Sequence, residues 1–239
     1  MSGVFLRKET KYILSLNQYN SLLSVMKDEM TLDKYGKQTM NNIYFDNDCY
    51  ELISRSVEKP VYKEKVRLRV YGKPQPDSHA YLELKKKYKG VVYKRRINAP
   101  LFVLEKYIEN GTPPENSQIF REIDYVYRVK NLEPKVYLAY EREAYYGNAD
   151  NNFRITFDTG IRYRTGDVSL YSNALSEKII GDDTVLMETK CLIAYPRWLI
   201  DFLCENKIYK TSFSKYGRVY TDRILAGVTE KKDKEIIYV

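Results

Sequence analysis

The chain has 239 residues, 44% of them hydrophobic, and 40 Lys+Arg against 32 Asp+Glu leave a formal net charge of +8, so it holds enough patterned apolar material for a folded core and is not a disordered polyelectrolyte. One histidine (His79, in the turn-like run KPQPDSH) and three scattered cysteines without a CxxC pair (Cys49, Cys191, Cys204) argue against Ser-His-Asp catalysis, a Cys or His zinc site and a disulfide framework, and the thiols are expected to be reduced core residues. No apolar run reaches the ~18 residues of a membrane span, and no signal peptide is legible, so a cytoplasmic protein is expected.

In chain order, residues 4–14 alternate as a strand, and Ser15 or Asn17 caps a helix over about 17–30 with Leu22, Leu23 and Met26 inward. Asn42–Asp46 (NIYFD) reads as a short buried strand and 48–57 as helical. Residues 61–71, 80–88 and 91–98 form a meander whose second turn is Lys89-Gly90. Pro100 opens a helix to about 109, and another begins near Glu115 with Ile119, Ile123, Val126 and Tyr127 toward the core. Strands follow at 134–146, 153–158, 161–165 and 184–190, with 166–183 a loop. Helices are expected at 196–207 and within 212–225, and residues 228–239 form a charged tail that ends as an edge strand or a mobile segment. One domain is expected, with its core over about 5–227.

Strand parity is the main signal. In 63–71 the odd positions are Lys63, Lys65, Arg67, Arg69 and Tyr71, against Glu64, Val66, Leu68 and Val70. Side chains alternate across a strand, so one face is cationic and the other mostly aliphatic. The pattern repeats with Glu83, Lys85 and Lys87, with Lys94 and Arg96, with Arg142, with Arg154, Thr156 and Asp158, with Glu188 and Lys190, and with Arg7, Glu9 and Lys11. A half-solvated antiparallel sheet also alternates, but solvated faces mix both signs because opposed like charges destabilise paired strands. Cations far outnumber acids here, which implies an anionic ligand. If the sheet closes, the charged faces line the bore and the apolar faces meet outer helices. The expectation is therefore an α+β fold with a closed antiparallel β-barrel. Glu9 and Glu83 read equally as counter-ions or as functional acids. Glu188, alternating with Lys190, suits a hard divalent ion carried with phosphate oxygens.

Eight pieces in order resemble one family: RKETKY at 7–12, IYFD at 43–46, VRLRVYG at 66–72, LELKKK at 82–87, YER at 140–142, RITFD at 154–158, METK at 187–190 and FSKYG at 213–217. Together they are similar to the VTC (vacuolar transporter chaperone) catalytic domain, the polyphosphate polymerases of the triphosphate tunnel metalloenzyme superfamily. The resemblance implies that Lys11, with Lys8, Arg67, Arg69 and Lys85, binds nucleotide phosphates, that Arg142 is the tunnel arginine, and that Glu188 holds Mn²⁺ or Mg²⁺. It places Ser214 and Lys215 at the tunnel mouth and adds Arg154 and Lys190; Lys94 joins these phosphate-binding candidates from its strand face. Arg7 stands where the superfamily's ExExK motif begins with Glu, which matches the polymerase branch. The family's eukaryotic membrane helices and phosphate-sensing domain have no counterpart in the sequence, so a free-standing bacterial-type enzyme is expected.

The implied activity is transfer of the γ-phosphate of ATP to a growing inorganic polyphosphate chain, with release of ADP. The nucleophile is already anionic, so alignment and charge neutralisation suffice, and no general base is needed. Arg67, Arg69, Lys85 and Arg142 would hold the transferring group, and Lys11 and Lys215 the incoming terminus. One rival is a triphosphatase or nucleoside triphosphatase in the same tunnel. The other is a non-enzymatic polyanion binder using tyrosines such as Tyr62, Tyr71, Tyr88 and Tyr93 as stacking platforms. Nucleic acid is not the expected partner, and a membrane partner is compatible with the sequence.

Overall fold

The computed structural model describes residues 8–227; Arg7, the start of the first predicted strand and the tail at 228–239 lie outside the described residues. The elements are β1 (Lys8–Ser15), α1 (Leu16–Met26), β2 (Met30–Leu32), β3 (Gln38–Asp46), α2 (Glu51–Val57), β4 (Tyr62–Tyr71), β5 (His79–Tyr88), β6 (Val91–Pro100), α3 (Leu101–Asn110), α4 (Gln118–Val129), β7 (Glu133–Gly147), β8 (Arg154–Arg164), β9 (Glu177–Lys178), β10 (Thr184–Cys191), α5 (Arg197–Glu205), β11 (Lys210–Thr211) and α6 (Lys215–Val219), which runs into a π-helical turn at Tyr220–Leu225. No helix among the described residues is long and apolar enough to cross a membrane.

Among the described residues two compact units are distinguished: residues 8–39 with Tyr140–Ile161 and Ile180–Phe213, and Met40–Ala139 with Arg162–Ile179 and residues 214–227. In the first, β1 pairs antiparallel with β10 and β10 with β8, in registers that place Lys11 opposite Glu188 and Glu188 opposite Thr156. One face of these strands buries Tyr12, Leu14, Phe153, Ile155, Phe157, Val185 and Met187 in a core with Leu22 and Met26 of α1 and Leu199 and Phe202 of α5. Ser15 caps α1 through a reciprocal capping box with Gln18. The helix stops at Met26 rather than near 30 because Met30–Leu32 pairs with the end of β7, a partner more than 100 residues away.

In the second unit β3, β4, β5 and β6 pair in sequence. Val66, Leu68, Val70, Leu82 and Leu84 are buried on one face against Leu101, Leu104, Phe120, Ile123 and Val126 of α3 and α4; fully burying each such aliphatic stabilises by about 1.5–3 kcal/mol. Ser117 caps α4 through the Phe120 amide, which turns Phe120 inward and leaves Ile119 exposed. Lys89 and Gly90 join β5 to β6 with φ of 46° and 85°, the paired left-handed conformation of a two-residue hairpin loop. Asp46 accepts from the amides of Leu52 and Ile53 and so fixes the start of α2 at the end of β3.

The expected closed barrel is not formed. The ladders follow an open path, β11-β1-β10-β8-β7-β3-β4-β5-β6, and no ladder among the described residues joins β6 to β11. The chemistry of these two strands explains it. A two-residue β11 offers almost no ladder, and β6 carries Lys94, Arg95 and Arg96 at an exposed edge, the kind of charge that blocks strand addition. Further differences are local. The predicted strands 153–158 and 161–165 are one strand, β8, which passes through Gly160 at φ 56°. Cys191 is buried as expected, whereas Cys49 and Cys204 are exposed.

Candidate phosphate-binding site

In the second unit, β4, β5 and β6 bring Arg67, Arg69, Lys85 and Lys94 onto one sheet face in rows set by register: Arg67 opposite Glu83 opposite Arg96, then Lys65 opposite Lys85 opposite Lys94. Glu83, 1% exposed, is the acid of this group. Its Oε2 accepts from Arg67 Nε at 2.7 Å and meets Arg67 Nη2 at 2.6 Å. Its Oε1 meets Lys94 Nζ at 2.5 Å and Arg96 Nη1 at 4.0 Å. Burial acts to raise the Glu83 carboxyl, but the charges of Arg67, Arg69 and Lys94 outweigh it and hold the group at about 2. One carboxylate thus serves several cations, and the positive charge is in excess.

The neighbouring strand β3 supplies polar groups to this cluster. Asn42 Oδ1 accepts from Arg69 Nε at 2.9 Å while its Nδ2 donates to the Leu138 carbonyl at 3.0 Å, which fixes the guanidinium. The Tyr44 hydroxyl accepts from Arg67 Nη1 at 3.2 Å. Burial opposes its ionisation, but Arg67, Arg69 and Lys65 prevail and bring the phenol down to about 7. Lys65 Nζ donates to Ser214 Oγ at 2.9 Å, and the same Oγ accepts from the Gly217 amide as the cap of α6. Lys215, half-buried, is the first residue of that helix. Lys85 is exposed.

In the first unit the charges are matched. Glu188 is paired by Lys190 and lies 3.8 Å from Lys11 Nζ, which also donates to the Phe213 carbonyl at 2.8 Å. Burial raises the Glu188 carboxyl, but Lys190, Lys11 and Arg142 together push it far below the usual carboxylate range. Arg142 grips Asp158 with two bonds, Nε to Oδ1 at 2.6 Å and Nη2 to Oδ2 at 2.7 Å. Arg154 is exposed and opposite Lys190, which is opposite Glu9 on the other side. Lys8 is not brought to this group: by strand parity it shares the face of Tyr12 and Leu14, and it pairs with Cys191.

A divalent metal fits this second cluster through one carboxylate. Glu188 is held ionised, and the residue opposite it, Thr156, has a buried Oγ1 without a hydrogen-bond partner among the described residues. No three His, Cys, Asp or Glu side chains among the described residues are grouped to hold a metal alone, so such an ion would complete its shell with substrate oxygens and water, as Mg²⁺ commonly does.

Among the residues grouped here, Asn42 and Tyr44 were not expected from the sequence. The signal was present in NIYFD, where Asn42, Tyr44 and Asp46 alternate with Ile43 and Phe45; polar groups at every second position of a strand buried on both faces require partners.

Residues 6–221 match the VTC domain family. No protein with a curated description matches the sequence. Among solved structures, HpAC1 from Hippeastrum, named an adenylyl cyclase and described as having a dominant triphosphatase activity, is similar with a TM-score of 0.56 and 16% identity over 90% of this chain and 94% of that one. A protein from Bacillus halodurans named an adenylate cyclase gives a TM-score of 0.52 and 11% identity over 87% and 95% of the two chains. At these identities the likeness is one of fold.

Proposed function

Since the chain belongs to the VTC domain family, we propose that it is a phosphotransferase that moves the γ-phosphate of ATP onto a growing inorganic polyphosphate chain and releases ADP. The observation that carries this reading is the face of β4, β5 and β6, where Arg67, Lys94 and Arg96 converge on the carboxylate of Glu83 and Arg69, Lys65 and Lys85 stand on the same face. Such a surplus is costly in the empty protein and becomes favourable around a string of phosphates. Arg67 and Arg69 present planar forks, each already oriented by a side-chain acceptor, to phosphate oxygens; Lys85 and Lys94 add point charges. Ser214 and Lys215 are read as further phosphate contacts at the start of α6.

In the other unit, Glu188 is the proposed metal residue, with Lys11, Lys190, Arg154 and Arg142 as its cationic surroundings. Bound Mn²⁺ or Mg²⁺ would supply neutralisation of phosphate oxygens. The nucleophile is a phosphate oxygen that carries no proton to remove, so the absence of histidine from these clusters costs nothing. Lys8, on the opposite face, is left out of the proposal. A polymerase is preferred to a triphosphatase because, among the described residues, Glu188 is the one buried acid of its cluster outside the Arg142–Asp158 pair, whereas Glu9 is exposed. The cytoplasm, where ATP is supplied, is the proposed location.

Incubating the purified protein with ATP and Mn²⁺, followed by gel analysis, tests the reading. A ladder of polyphosphate with ADP supports it. Release of inorganic phosphate alone would assign the triphosphatase activity instead.

A further inference from the structure

The rows of like charge on β4 and β5 continue outward beyond the residues assigned above. After the row Arg67–Glu83–Arg96 comes Lys65–Lys85–Lys94, and after that Lys63 stands directly opposite Lys87. Rows two residues apart along a strand are separated by about 6.8 Å, so Lys63 lies about 14 Å along β4 from Arg67. Opposed lysines on paired strands destabilise a sheet, and here two consecutive rows carry them. Lys63 Nζ donates to the Ser56 carbonyl at 3.2 Å, and Lys59, in the loop before β4, adds its charge nearby. Burial and the charges of Lys87, Lys59 and Lys85 push the Lys63 ammonium below its ordinary value. No ion pair engages Lys59, Lys63, Lys85 or Lys87 among the described residues. The nearby acids are committed elsewhere: Glu83 to Arg67 and Lys94, Asp46 to the α2 amides, and Glu64, on the opposite face, to Lys86 and the Tyr62 hydroxyl.

We propose that Lys63 and Lys87, with Lys59, form an outer binding track for a long polyphosphate chain, continuing the Lys65–Lys85–Lys94 row toward the open end of the β4–β5 hairpin pair. The proposal rests on the polyphosphate reading above and extends it with residues to which no role was given. A single nucleotide's phosphates held at Arg67 and Arg69 do not reach this row; a polymer does. The same geometry disfavours single-stranded nucleic acid. Stacking sites for bases need aromatic rings beside the cations, and along the outer rows parity separates them: Tyr62 pairs with Tyr88, and Tyr93 with Lys86, on the face opposite Lys63 and Lys87. Tyr71 and Tyr81, which share the cation face, lie at the other end of the strands beside Arg69 and Arg96.

The test measures affinity at fixed salt for tripolyphosphate, for long-chain polyphosphate and for single-stranded oligothymidylate. It compares the wild-type chain, Lys63→Gln/Lys87→Gln, and a control of equal charge, Lys73→Gln/Lys106→Gln, at two exposed lysines outside the rows. The expected result is a loss of at least five-fold for long-chain polyphosphate in the track variant only, with tripolyphosphate changed less than two-fold. A smaller loss, an equal loss for both lengths, or an equal loss in the control overturns the track. A loss for oligothymidylate as large as that for polyphosphate overturns the assignment of its ligand. If the wild-type chain binds neither phosphate polymer, the functional reading itself fails; if it binds tripolyphosphate and long chains equally, only the track does.

Discussion

The β1–β10–β8 face and the β4–β5–β6 face carry the same kinds of side chain and treat them oppositely. On the first, Arg142 has Asp158, and Lys11 and Lys190 have Glu188, so charge is nearly balanced inside the protein. On the second, Arg67, Lys94 and Arg96 divide one carboxylate, and the rows beyond it set Lys65 opposite Lys85 and Lys63 opposite Lys87. A matched cluster stabilises the fold and holds its groups in place; an unmatched one stores a preference for an anion. Substitutions in the two faces should therefore fail in different ways.

The largest effect is expected at the matched face. Asp158, 1% exposed, is the acceptor of both Arg142 bonds, and Asp158→Ala leaves a largely buried guanidinium without its partner. The loss should be about 3–5 kcal/mol of stability, seen as a lower midpoint in denaturant unfolding. Arg67→Ala should behave otherwise, because Glu83 retains Lys94 and Arg96. Turnover of ATP is expected to fall about 10²–10³-fold, with a cooperative unfolding transition preserved. If Arg67→Ala unfolds the chain, or Asp158→Ala leaves its midpoint unchanged, the distinction between the faces is wrong.

Proton titration sharpens the comparison. The Glu83 carboxyl is held at about 2 in the folded chain, below its ordinary 4.5. A depressed carboxyl contributes stability that is present above its unfolded value and is lost as pH falls through the folded one. The stability gap between wild type and Glu83→Gln should thus shrink by about 3 kcal/mol between pH 5 and pH 2, measured by unfolding at each pH. A gap independent of pH would remove Glu83 as the shared counter-ion. Tyr44 is the smaller case. Its phenol, at about 7 against an ordinary 10, contributes nothing below pH 7 and gains stability as pH rises toward 10. By pH 8 the advantage over Tyr44→Phe should be about 1 kcal/mol, and added tripolyphosphate should reduce it by competing for Arg67.

Much of this was written locally in the chain. Alternation in 63–71 and 82–87 placed Arg67, Arg69 and Lys85 on one face, because strand parity is set by the backbone alone. Lys89-Gly90 set the hairpin register that brings Lys94 beside Lys85. What was not legible depends on partners distant in sequence. Closure of the sheet is a property of its two ends taken together: the charges of β6 are visible in the sequence, but that they form an exposed edge and that β11 is only two residues long depends on which strands pair. The early end of α1 follows from pairing of Met30–Leu32 with β7. Lys8 resembled Lys11 as a phosphate ligand, yet three positions along a strand reverse the face. The choice of Glu83 as the acid that several cations share needed the register of three strands at once.

The central claim is that the surplus cations of β4, β5 and β6 are a phosphate-chain site. The most direct measurement is a crystal structure of the chain with tripolyphosphate. The account predicts phosphate oxygens at about 2.7–3.2 Å from the guanidinium groups of Arg67 and Arg69, with Lys85 turned toward them. Tripolyphosphate bound elsewhere, with that face left without phosphate, would contradict it.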